Sequence, residues 1–128
     1  MIMIEHEVPH DEWHVFLTAF NARHQGWLVQ CDHFGRGMAE SERSPFLPFF
    51  EVSFVDEGTP ERFVAVVVKE GDSASIVSIM PRPDHLRLVR TLEGAEQALR
   101  IAAANGETLC IAFRTALLAQ LIDTPTLH

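Results

Sequence analysis

The chain has 128 residues, 47% of them hydrophobic, with 10 Lys and Arg against 18 Asp and Glu for a formal net charge of −8. That length suits one domain with a real core and is short for two. The acid excess opposes a nonspecific nucleic-acid or anionic-membrane surface, because repulsion precedes any useful contact.

No apolar run approaches the ~18 residues of a spanning helix. The N-terminus carries Glu5 and Glu7 with no Lys or Arg before Arg23, the wrong charge for a secretory or transit segment. Cys31 and Cys110 form no Cys-x-x-Cys pair, so two reduced, buried thiols are expected. These features predict a cytoplasmic protein without nucleic-acid or membrane partners and without a cofactor. The charge is uneven: residues 1–72 hold 13 acids against 5 bases, and residues 73–128 hold 5 of each. A planar cationic fork is available in the second part at Arg82, Arg87, Arg90, Arg100 and Arg114.

The spacing predicts a helix from about His10 to Gln25. Trp13, Phe16, Leu17 and Phe20 fall at i, i+3, i+4 and i+7, a stripe that needs a core. Pro9 suits the first turn, Asp11 and Glu12 place acid at the positive end of the helix dipole, and Arg23 and His24 place base at the other. Gly26 can supply a left-handed cap. Alternation then takes over, with Trp27, Val29 and Cys31 expected on one face of a strand ending near Phe34. Residues 35–45 read as a solvated loop, the segment expected to be most mobile, and Phe46–Val55 as a second strand.

After the turn at 56–60, Arg62–Lys69 has six consecutive apolar residues and should be covered on both sides. Strands are expected at Ser75–Met80 and His85–Arg90, the latter with Leu86 and Leu88 inward and Arg87 outward. Pro81-Arg82-Pro83 interrupts the ladder between them. Segment 93–104 has strong helix propensity, yet Leu99, Ile101 and Ala103 alternate. Asn105-Gly106 is a strong hairpin turn, and Leu109, Ile111 and Phe113 alternate after it. A hairpin of Ala98–Ala104 with Thr108–Arg114 satisfies both halves. Ala116–Ile122 reads as a short helix before a frayed tail.

The run Pro9-His10-Asp11-Glu12-Trp13 and the junction His24-Gln25-Gly26-Trp27-Leu28-Val29 resemble the opening of a small bacterial family known only as a domain of unknown function. The likeness covers roughly residues 8–115 and is specific over the first part of that range. It implies a β-rich body ending in a hairpin, which supports a strand at Ala98–Ala104. It implies no activity or catalytic residue.

Two constellations could carry chemistry. His6, His10 and His14 recur every fourth residue, and on one helix His10 and His14 could share a Zn²⁺ or Ni²⁺, with His6 or Glu7 as a third ligand. Pro9 pushes residue 8 toward an extended conformation, which breaks such a helix and favours surface histidines. Cys31 and His33 share a strand face, as thiol activation or ligation requires. Cys31 also belongs to an apolar face, where a thiol is usually a small hydrophobe. His24 is accounted for by the helix dipole alone. Trp13 and Trp27 could line a ligand pocket, although packing accounts for both. Arg82, Asp84, Arg87 and Arg90 form a mixed-charge cluster on a rigid turn that could receive an acidic partner.

The expected architecture is a single α+β domain. An N-terminal amphipathic helix packs on a mainly antiparallel sheet of about six or seven strands, or a small partly open barrel, and a short C-terminal helix follows. The expected function is a non-enzymatic binding or assembly module, a homodimer in which a second protomer covers the apolar Arg62–Lys69 strand. The alternative is a small metal-binding protein or enzyme using the His-rich N-terminus or Cys31/His33.

Overall fold

The computed structural model describes residues 3–35, 42–58 and 61–118. Strand β1 (Met3–Glu7) leads through a 3-10 turn (His10–Glu12) into α1 (Trp13–Arg23). There follow β2 (Leu28–Phe34), β3 (Glu42–Arg43), β4 (Leu47–Val55), β5 (Phe63–Glu70), β6 (Ser73–Pro81), β7 (Pro83–Thr91), β8 (Ala95–Ala103) and β9 (Thr108–Leu118). The strands form one antiparallel sheet in the order β1-β7-β8-β9-β2-β4-β5-β6, with β3 attached to β2.

This corrects the α+β expectation. The protein is an open antiparallel sheet of nine strands with one short helix near its N-terminus. The expected C-terminal helix is absent where it can be observed: residues 116–118 belong to β9, with Ala95 opposite Leu118 and Glu96 opposite Leu117. Ladder pairing overrides the helix propensity of Ala116 and the leucines after it. Residues 119–128, including the rest of that expected helix and the tail, lie outside the described residues, as do residues 36–41 of the expected mobile loop.

Helix α1 follows its stripe. Trp13, Leu17 and Phe20 are buried and Phe16 packs against the same core. Phe20 meets Phe49 of β4 edge-on at 5.7 Å and Phe113 of β9 at 5.8 Å, so the helix bridges two strands that are not neighbours. Trp13 donates its indole N–H to the Val8 carbonyl at 2.9 Å. Asn21 replaces a strand neighbour for Val52 of β4, accepting from its N–H at 2.9 Å and donating to its carbonyl at 3.1 Å. Helix α1 ends at the C-cap His24, and Gly26, at φ +79°, lies in the turn that the Trp27 N–H closes on the His24 carbonyl at 3.0 Å, leading the chain into β2.

The β8–β9 hairpin forms as its alternation implies, with Leu99 opposite Ile111 and Ile101 opposite Leu109. The prolines of 81–83 end β6 and start β7, and Arg82 between them takes φ +50°. Strand β5 is covered within the protomer: Val64, Val66 and Val68 enter the core and Ala65 of the opposite face is also buried. On that opposite face Phe63 and Val67 remain half-buried.

Two β-bulges decide which polar groups face inward. In β8, Val89 pairs with Ala98 but Arg90 pairs with Glu96, so Gln97 is the extra residue. The shift turns Glu96 to the buried side, against the alternation of Leu99, Ile101 and Ala103. In β6, Val66 pairs with Ser78 and Val67 with Ile76, so Val77 is extra. Val77 consequently packs on the core beside Ser78, and Ile76 is exposed.

Candidate functional site

The histidines of the N-terminus are not brought together. His6 lies on β1 opposite Leu88, His10 contacts the Asp84 carbonyl at 2.7 Å and stacks on Trp13, and His14 pairs with Asp56 at 3.2 Å. Among the described residues no group of three His, Cys, Asp or Glu side chains is arranged to hold a metal ion. The mixed-charge cluster is spread along β7 and satisfied internally: Arg82 pairs with Glu61, Asp84 with His85, and Arg87 with Glu7. Arg90 is exposed. The carboxyl of Glu7 is held below its usual value by its hydrogen bond with His85, aided by the charge of Arg87. Trp13 is buried, and Trp27 packs edge-on against Phe113 at 5.6 Å, so both tryptophans serve packing.

A cleft of about 180 Å³ opens where β2 parts from β4. β4 pairs with β2 at Leu28 and Val29, and β3 takes over at Asp32 and His33. Cys31, His33, Glu42, Arg43, Ser44 and Ser78 line the opening. His33 continues the inward register of Val29 and Cys31, as their even spacing implies, and lies opposite Leu109.

Four side chains form a continuous relay there. Ser78 Oγ is 3.1 Å from His33 Nδ1, and His33 Nε2 is 3.2 Å from Glu107 Oε1. Glu107 is held in turn by Asn105, which donates from Nδ2 to Oε2 at 2.7 Å and accepts from the Glu107 N–H at 2.9 Å. The hairpin turn read from Asn105-Gly106 thus anchors the acidic end of the relay, and Gly106 supplies its positive φ of +94°.

An ionised Glu107 can only accept, which places the imidazole proton on Nε2 and leaves the Nδ1 lone pair for the Ser78 hydroxyl. The arrangement therefore presents a hydroxyl, an oriented base and an acid in sequence. The Arg43 guanidinium, bonded to Asp32 at 2.9 Å, sits at the rim of the same cleft.

Cys31 is buried in the core, as its place on an apolar face implies, and is not an activated thiol. Burial pushes its thiol up to about 12, outweighing the opposing hydrogen bond with Ser44, so it stays protonated at neutral pH. The partner of His33 is Ser78, which comes from a strand 45 residues away. Nothing local in Ser75–Met80 signals this contact. The contact arises because β6 approaches β2 in space, although β4 and β5 stand between them in the sheet order.

A second polar cluster lies inside the core. Arg23 Nη2 contacts Glu96 Oε1 at 2.6 Å, and His24 Nε2 stands 3.1 Å from Glu96 Oε2. His24 Nδ1 reaches the Phe20 carbonyl at 2.7 Å, while the ring stacks on Phe113 at 4.4 Å. His24 is 0% exposed and Glu96 2%. Burial alone would raise the Glu96 carboxyl; hydrogen bonds and charge from His24 and Arg23 overcome it and hold the group below its usual value. Arg23 remains partly exposed, while the His24 and Glu96 side chains are closed off from solvent and tie α1 to β8.

No protein-family model matches the chain, and no curated protein or solved structure matches it either. Function is therefore read from the geometry.

Proposed function

We propose that the protein is a binding module for a small polar ligand, seated in the cleft between β2, β3 and β6. The observation that carries this reading is the Asn105–Glu107–His33–Ser78 relay, which spends four polar side chains on fixing one imidazole and one hydroxyl at the wall of an opening. Preoriented hydrogen-bonding groups in a concave site are what small-ligand recognition requires. The opening suits a small molecule, and Arg43, Glu42 and Ser44 at its wall favour a polar one. The proposed setting is cytoplasmic; among the described residues no helix is long and apolar enough to cross a membrane.

The test is a ¹H–¹⁵N NMR titration with acetate, acetamide and methyl acetate. Shift changes concentrated at residues 31, 33, 44, 77, 78 and 107 support the reading. Changes spread elsewhere, or none at all, remove it.

A homodimer is a second reading, favoured by the edge strand β6, which exposes Ile76 (60%) and Ile79 (49%). Light scattering that shows a dimer, converted to monomer by Ile79→Lys, would support it. A strict monomer at micromolar concentration would overturn it.

A further inference from the structure

We propose that Ser78 is a nucleophile for acyl transfer from small carboxylic esters, with His33 Nδ1 as its general base and Glu107 as the residue that positions the imidazole. The proposal rests on the cleft being the ligand site and adds to that reading a substrate class and a reaction.

Three observations point the same way. The first is connectivity: hydroxyl, imidazole and carboxylate are linked in the order that nucleophile activation uses, at 3.1 and 3.2 Å. The two imidazole nitrogens exchange their more familiar roles, but the proton inventory is unchanged, with one lone pair toward the serine and one N–H toward the acid. The second is access. Ser78 and His33 both line the open cleft, whereas His24 and Glu96 of the core cluster are buried. The third is support: Asn105 fixes Glu107 through two hydrogen bonds, and the bulge at Val77 sets the local course of β6. Bulges commonly re-aim side chains at sites of this kind.

The steps balance. Ser78 Oγ attacks the ester carbonyl carbon while its proton passes to His33 Nδ1, and the resulting imidazolium is stabilised by Glu107 at Nε2. The tetrahedral intermediate collapses, the ester C–O bond breaks, and an alcohol leaves with the proton from Nδ1; a phenolate leaves without it, and Nδ1 then releases its proton to solvent water. Water then attacks the acyl-serine and gives a proton to His33. Ser78 departs with that proton, and the carboxylic acid is released. No other reactant is required.

The test uses the full chain with p-nitrophenyl acetate, followed by release of p-nitrophenolate, intact mass and peptide mapping. The expected result is a burst approaching one equivalent, with a single acetyl group on Ser78. Ser78→Ala should abolish the burst, and Ser78→Cys should restore labelling at position 78. His33→Gln should slow acetylation by at least about 100-fold, the scale of a lost general base. Glu107→Gln should slow it about 10-fold or more and alter its pH profile, with Glu107→Asp recovering part of the rate.

Near-ultraviolet circular dichroism identifies any variant that fails to fold, and the mapping of wild type decides the proposal without them. Acetyl groups found only at Lys69, histidines or the N-terminus, or a burst unchanged in Ser78→Ala, would overturn it. Cleft shifts in the NMR titration with no acetyl on Ser78 would leave the binding site standing and overturn the nucleophile. No shifts in the cleft would remove both.

Discussion

His24 and Glu96 face each other in the interior with Nε2 and Oε2 3.1 Å apart, one at the C-terminal end of α1 and the other beside a bulge in β8. Their contact fastens the only helix of the described residues to the far side of the sheet path. It places an ionisable pair among the rings of Phe20, Trp27 and Phe113. Taking such groups out of water is costly, and this offsets what their attraction contributes to net stability.

The two residues should be energetically coupled. Glu96→Gln leaves Arg23 and His24 without their carboxylate, and the expected loss is about 3 kcal/mol by urea denaturation. His24→Phe with Glu96→Leu should lose less than the two single changes summed, because the double variant retains no unpaired member of that contact. Additive losses would mean that the two residues act independently.

The same carboxylate predicts a pH dependence. The folded state holds Glu96 below the value of 4.5 that it takes in the unfolded chain, so its contribution is present above that value. It is lost as pH falls through the lower, folded value, because the unfolded chain binds the proton first. Stability should therefore decline on acidification below about 4.5, and Glu96→Gln should flatten that decline. An unchanged slope in the variant would show that other carboxylates govern it.

Cys31 should resist alkylation in the native protein. Its thiol, pushed up to about 12 by burial, offers almost no thiolate at pH 8, and burial also raises Cys110. Iodoacetamide should modify Cys31 only as fast as the chain opens, as read by mass spectrometry with and without urea. Rapid native labelling of Cys31 would contradict the burial seen here.

Arg82 turns the corner between two prolines at φ +50°. A β-branched residue is poorly suited to that conformation, so Arg82→Val should destabilise by more than about 1 kcal/mol. Arg82→Gly should stay within about 0.5 kcal/mol, since the eased backbone offsets the freedom added to the unfolded chain and the lost exposed pair with Glu61. Equal effects of the two substitutions would show that the turn carries no such constraint.

The elements governed by local chemistry are visible in the chain itself. The Trp13-Phe16-Leu17-Phe20 stripe, the left-handed turn at Gly26 and the hairpin around Asn105-Gly106 all form as their spacing implies. Strand β1 escapes notice because all five of its residues are exposed at a sheet edge, so no inward–outward alternation marks them. The two-residue β3 is too short to show a period. The strand at 116–118 contradicts its own propensity because it completes the β8 ladder.

The candidate site divides in the same way. That Cys31 and His33 share a face follows from a period of two, and that Asn105-Gly106 reverses the chain follows from turn chemistry. Which residue meets His33 depends on sequence separations of 45 for Ser78 and 74 for Glu107. Glu96 reads as outward by alternation and becomes buried only because Gln97 is bulged. The amino-acid order by itself determined the helix, the turn after it, most of the strands and the charge balance, since each depends on neighbours a few residues apart. The tertiary structure decided which polar groups turn inward and which meet, because sheet order and one-residue shifts of register are set by packing across the whole core.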